Sequence, residues 1–145
     1  VIALVLIIVT MTAAAIPGQT PGLVSIQDVR FWNSSLDTGW LVLAEGTHIP
    51  TTGYTSFIAK VKNNTFQTQT VVWWLIAPKK AQSPAQGIGP GRTGWTGATQ
   101  PIILDVSGSS GYRLQLDLLT SYGTLLDSKT FNVVVEGPID PPPIP

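Results

Sequence analysis

Cysteine is absent from this chain. That excludes disulfide bonds, thiol nucleophiles and cysteine-based metal sites together. Histidine occurs once, and charge is scarce: eight Lys and Arg balance eight Asp and Glu across 145 residues. With a formal net charge of zero, no global field draws the protein to nucleic acid or to an acidic surface. The basic pairs Lys60/Lys62 and Lys79-Lys80 are small, are offset by acids, and read as solvated surface.

Catalytic chemistry needs titratable groups that converge, and the sequence offers none. His48 lies in the loop stretch Glu45-Gly46-Thr47-His48-Ile49-Pro50, without a nucleophile-elbow motif. Asp105, Asp117 and Asp127 occur singly rather than at metal-ligand spacing, and Glu45 with His48 is too little for zinc. The run GIGPGRTGWTG, Gly87–Gly97, lacks the Lys-Ser/Thr of a phosphate-binding loop and the strand–loop–helix context of a dinucleotide site. The expectation is a protein that is not an enzyme, with no cofactor, no metal and no nucleic-acid partner.

What the chain does have is an uninterrupted apolar start. Val1–Ile16 carries no charge, and only Thr10 and Thr12 are polar. Eight of its first nine residues are large aliphatics: Val1, Ile2, Leu4, Val5, Leu6, Ile7, Ile8 and Val9. Leaving such side chains in water forfeits roughly 1.5–3 kcal/mol each. The sum, more than ~10 kcal/mol, rivals the stability of a whole domain. As a helix the segment has no polar face, so Met11 and Ile16 are to be buried along with the rest. At ~1.5 Å rise per residue it spans about 24 Å, short of a ~30 Å hydrocarbon core. It lacks the basic flank of a secretory signal. Its β-branched content also permits Val1–Val9 to act as a strand donated to a neighbour's sheet. The best-suited partner for a uniformly apolar helix is another copy of itself. Pro17, Gly18, Pro21 and Gly22 then read as a helix stop and a hinge over residues 17–22.

From Leu23 onward the period is two rather than 3.6. Phe57, Ala59 and Val61 alternate with Ile58, Lys60 and Lys62. Tyr112, Leu114, Leu116 and Leu118 alternate with Arg113, Gln115 and Asp117. Phe131, Val133 and Val135 alternate with Asn132 and Val134. Ile102, Leu104 and Val106 form a further apolar face. Weaker runs cover Leu23–Trp32, with a phase shift at Gln27-Asp28 that predicts a β-bulge, and Trp40–Ala44. Turn signals at Ser34–Gly39, Asn63–Thr65, Ser107–Gly111 and Ser121–Gly123 separate the runs. About seven strands at this spacing predict an immunoglobulin-like sandwich head over residues 23–136. The expected class is α+β: an N-terminal apolar α-helix followed by an all-β head. Residues 137–145 hold five prolines, a composition suited to polyproline II and to a cap or a contact strap.

Thr70–Ile76 is apolar on both faces, as a central strand covered on both sides would be. One of its tryptophans, Trp73 or Trp74, is a candidate for a subunit contact. Lys79–Gln100 reads as a long exposed loop with Trp95 at its tip, a second contact candidate. Two sequons, Asn33-Ser34-Ser35 and Asn63-Asn64-Thr65, fall at turns where N-glycans would be accessible on an exported chain.

An apolar helix at the start, a Pro/Gly break and a β-sandwich together resemble a processed archaeal type IV-like pilin. Val5 stands where bacterial pilins carry an acidic residue, as archaeal members allow. The resemblance implies removal of a short basic leader, a membrane stage only before assembly, and a filament core made by bundled helices. It further implies glycosylated heads outside that core, and an extracellular homopolymer for adhesion, aggregation or twitching motility. Two other readings stay open: a donor-strand-exchange pilin, and a membrane-anchored surface module that binds cell-envelope glycans through an exposed Trp.

Overall fold

The computed structural model describes residues 23–104 and 112–136. Among the described residues ten strands follow one another: β1 (Val24–Asn33), β2 (Leu41–Val42), β3 (His48–Pro50), β4 (Thr55–Asn63), β5 (Gln69–Ala77), β6 (Ala81–Gln82), β7 (Gln86–Ile88), β8 (Thr93–Trp95), β9 (Tyr112–Thr120) and β10 (Leu125–Glu136). One sheet has the order β2-β1-β4-β8. The other runs β3-β10-β9-β5-β6, with β7 also beside β5. The strand pairs are antiparallel except β3 and β10, which run parallel.

The α+β class expected above is overturned. Among the described residues there is no helix, and the class is all-β in two sheets. The physical reason is the period-two pattern, which covers the described residues and gives each long strand one buried face. The helix expected over residues 1–16, the hinge over 17–22 and the tail over 137–145 lie outside the described residues, as does the turn expected at Ser107–Gly111.

The core sits between the sheets. β1 contributes Val24, Ile26, Val29 and Phe31, and β4 contributes Phe57, Ala59 and Val61. From the facing sheet come Val71, Trp73 and Leu75 of β5, Leu114, Leu116 and Leu118 of β9, and Val133 and Val135 of β10. The inward phase of β1 changes between Ile26 and Val29. Its register against β4 slips between Ile26 and Asp28, leaving Gln27 as the extra residue. This is the bulge that the sequence pattern predicts. Ile102 makes only an isolated bridge to Thr55, so the run expected there is not a full strand in its described part.

The stretch expected as a long loop, Lys79–Gln100, instead supplies β6, β7 and β8, which cover the edges of β5 and β4. Hydroxyl side chains make this possible. Ser83 donates its backbone N–H to the Trp73 carbonyl (2.8 Å), while its Oγ accepts the Trp73 N–H (2.9 Å). Thr96 does the same with Ala59 (2.9 and 3.1 Å), and Thr99 with Phe57 (3.0 and 2.9 Å). A chain veering away from a strand can still offer its N–H, but its carbonyl no longer points at the neighbour. The hydroxyl oxygen takes the carbonyl's place, so buried strand groups stay paired where no regular ladder exists.

Candidate interaction surfaces

The two sequon asparagines are interior. Asn33 ends β1 and Asn63 ends β4, and both are essentially buried. The Asn63 Nδ2 donates to the carbonyls of Gln67 (2.8 Å), Ile88 (2.9 Å) and Gly89 (3.1 Å). Its Oδ1 accepts the Thr65 N–H (2.9 Å) and hydroxyl (2.6 Å). Asn33 repeats the scheme: Nδ2 donates to Thr55 Oγ1 (2.9 Å) and Pro50 O (3.4 Å), and Oδ1 accepts from the Ser35 N–H and hydroxyl. The reading of these residues as accessible glycan acceptors is corrected: the amide nitrogen that would carry a sugar points inward and is already engaged. The Asn-x-Ser/Thr spacing is the signature of an Asx turn, in which residue i+2 bonds back to the asparagine side chain.

The three candidate tryptophans separate cleanly. Trp73 is fully buried in the core, so its place among contact residues is withdrawn. Its indole N–H has no hydrogen-bond partner among the described residues. Trp74 points the other way and is half-buried on the outer face of β5, opposite Asp117 of β9 and Gln82 of β6. Trp95 is not at a loop tip. It lies in β8 opposite Lys60, with the Arg30 guanidinium 5.7 Å from its ring centre and Asp28 3.0 Å from Arg30 Nε. Its ring is partly exposed, and the cation over its face is worth about 0.5–1 kcal/mol at such a site. His48 sits in β3 and contacts Glu136 of β10 through Nδ1 at 2.9 Å, on the surface. Among the described residues no group of three His, Asp or Glu side chains is placed to hold a metal ion.

The two most exposed aromatic rings among the described residues, Phe66 and Tyr122, lie at the end where Leu23 enters the sandwich, while Trp40, Val42, Tyr54, Trp95 and Ile103 are exposed elsewhere. Val24 lies opposite Asn63, and the Asn64 N–H donates to the Leu23 carbonyl at 2.6 Å. At this end, here called the base, the β4–β5 turn presents Phe66 and the β9–β10 turn presents Tyr122, exposed by 98% and 95%. Leu23, just before β1, and Leu125, at the start of β10, are also exposed at this end. Between the two turns is a cleft of about 470 Å³, lined by Gln67, Thr68, Gln69, Thr70, Thr120, Ser121, Tyr122 and Thr124. Sequence patterning missed this site, because Phe66 and Tyr122 are single residues inside turns and carry no periodic signal.

A second feature is a seam between the sheets. On the outer side of β1, β2 lies beside only Arg30 and Phe31, and the Ile26 N–H is met instead by Asp127 Oδ2 at 2.8 Å. A groove of about 220 Å³ runs there, among Ile26, Gln27, Asp28, Val29, Leu43, Lys129 and Phe131.

No family model matches this chain, and no curated protein matches it. Among solved structures, the alkylpurine DNA glycosylase AlkC of Pseudomonas fluorescens, bound to DNA containing an abasic site analog, is similar over 79% of this chain at 13% identity and a TM-score of 0.44. The chain spans about a third of that protein's length, since the match covers 31% of it.

Proposed function

We propose that this chain is the structural subunit of an extracellular filament, a type IV-like pilin. It assembles through its apolar residues 1–16 and carries the β-sandwich as its head, for adhesion, aggregation or twitching motility. The observation that carries the reading is the base. The end of the sandwich that receives the chain from the apolar segment is also the end where Leu23, Phe66, Tyr122 and Leu125 stand exposed. An apolar rim at the end where the chain enters, six residues after an apolar stretch of sequence, favours packing against like copies.

The test is Leu6→Asp in the full chain, viewed by negative-stain microscopy. An unpaired carboxylate in a buried apolar assembly costs several kcal/mol, about 2–7 even for a polar group without charge. Loss of filaments from a chain that keeps its β-rich circular dichroism is expected. Normal filaments from that variant would sink the reading.

The seam beside β1 favours a second reading, in which Val1–Val9 of a neighbour adds a strand along Val24–Asp28. Because the chain has no native cysteine, a Val5→Cys, Gln27→Cys double variant separates the two. A disulfide between copies in assembled material supports strand donation, and free thiols in intact filaments exclude it.

A further inference from the structure

The cleft at the base has an uncharged lining throughout, and each of its eight side chains can form hydrogen bonds. Both walls are pinned. The Thr120 hydroxyl accepts the backbone N–H groups of Tyr122 (3.2 Å) and Thr124 (3.1 Å), and Gly123 turns the chain there at a φ of 91°. On the other wall the Gln67 carbonyl accepts from Asn63 Nδ2 and from the Thr65 hydroxyl, both at 2.8 Å. Tyr122 is therefore carried on a fixed turn at the lip of a trough of amides and hydroxyls, and the exposed Phe66 lies in the opposite turn, outside the lining. That combination suits a polyproline II segment. Such a segment has no internal hydrogen bonds, so its carbonyls are open to donors, and its pyrrolidine rings pack on aromatic faces.

The chain carries a segment of this composition: Pro138-Ile139-Asp140-Pro141-Pro142-Pro143-Ile144-Pro145, with a single charge. It follows Glu136, at the end of β10 remote from the base. The 12 residues of β10 span about 40 Å at ~3.3 Å per residue. The nine residues 137–145 reach at most about 32 Å even when fully extended. Residues 138–145, tethered at Glu136, therefore fall short of the cleft of their own sandwich.

We propose that residues 138–145 of one copy occupy the base cleft of another, a strap that joins successive heads end to end. This deepens the filament reading and rests on it for its setting. A contact between two different surfaces of one chain does not close on itself unless a ring forms, so it propagates along a polymer.

The test uses the full chain with a benzoylphenylalanine photo-crosslinker in place of Tyr122, prepared as a mixture of light-isotope and heavy-isotope copies. Irradiation is expected to join the residue-122 peptide of one isotope to the residue 137–145 peptide of the other. Cross-links confined to one copy, or leading to any other segment, overturn the strap. Tyr122→Ala and the triple variant Pro141→Ser, Pro142→Ser, Pro143→Ser are each expected to cut the sedimentable fraction by about fivefold or more, with Tyr122→Phe close to the unaltered chain. Sedimentation of both variants equal to that of the unaltered chain also overturns it. Filaments that persist in the proline variant reject the strap and leave the filament reading standing. Failure of the unaltered chain to polymerise rejects the filament reading, while the light–heavy cross-link still decides the strap.

Discussion

Asn33 and Asn63 occupy opposite ends of one antiparallel strand pair, Asn33 across from Thr55 and Asn63 across from Val24. Each closes the interior with its carboxamide and folds the next two residues back onto its own Oδ1. The pair works as two plugs, one at either end of the β1–β4 ladder. Their environments differ, however, and the difference is measurable. Asn63 Nδ2 faces three carbonyl oxygens, whereas Asn33 Nδ2 faces one carbonyl and one hydroxyl.

Asn63→Asp sets a carboxylate against three acceptors in a buried site. A loss of roughly 3–5 kcal/mol is expected, the range for leaving a buried charge uncompensated. Asn33→Asp is milder, because the Thr55 hydroxyl can turn and donate. Urea unfolding of the two variants checks the order, and equal losses would refute the different roles.

Neither asparagine is expected to carry a glycan in the folded chain. Peptide mapping of material from a glycosylating host should find residues 33 and 63 unmodified. A sugar on either, in protein with native amide protection at Thr65 and Ser35, would contradict the buried geometry.

Trp73 presents two opposing terms. Its ring fills the core, yet its indole N–H is buried without a partner. Trp73→Ala is expected to cost about 3–5 kcal/mol through the cavity left behind. Trp73→Phe keeps most of the ring and removes a polar group whose burial alone costs about 1–3 kcal/mol. Its net loss is expected to stay below half that of the alanine variant in calorimetry.

Ser83→Ala deletes the acceptor of the Trp73 backbone N–H while sparing the Ser83 N–H. The orphaned donor is buried, and about 1–3 kcal/mol should be lost. Faster hydrogen exchange confined to the Trp73 amide and its neighbours on β5 is the local signature. Thr99→Val tests the same device on β4, through the Phe57 amide.

Much of the sandwich was legible because a half-buried strand must alternate. The inward residues of β4, β9 and β10 and the bulge at Gln27 all follow from spacing that neighbouring residues impose on one another. The hydroxyl pairs were not legible, since Thr96 and Thr99 meet partners 37 and 42 residues away in sequence. Nor was the base cleft, which exists because two unrelated turns end at the same height. The α-helix written into the expected class came from the apolarity of residues 1–16, and apolarity alone does not choose between helix and strand. The sequons were misread for a related reason: one three-residue spacing serves both an exposed acceptor and a buried Asx turn, and burial separates them.

Composition and periodicity by themselves determined that this chain has no thiol chemistry, that it alternates from Leu23 onward, and that its first sixteen residues carry no charge. Those properties are local, set by the side chains present and by the two-residue repeat of an extended backbone. Only the tertiary structure decided which tryptophan is core, which asparagines are sealed, and which end of the sandwich presents aromatic rings. Those outcomes depend on contacts between residues far apart in sequence, whose energies exist only once the two sheets have met.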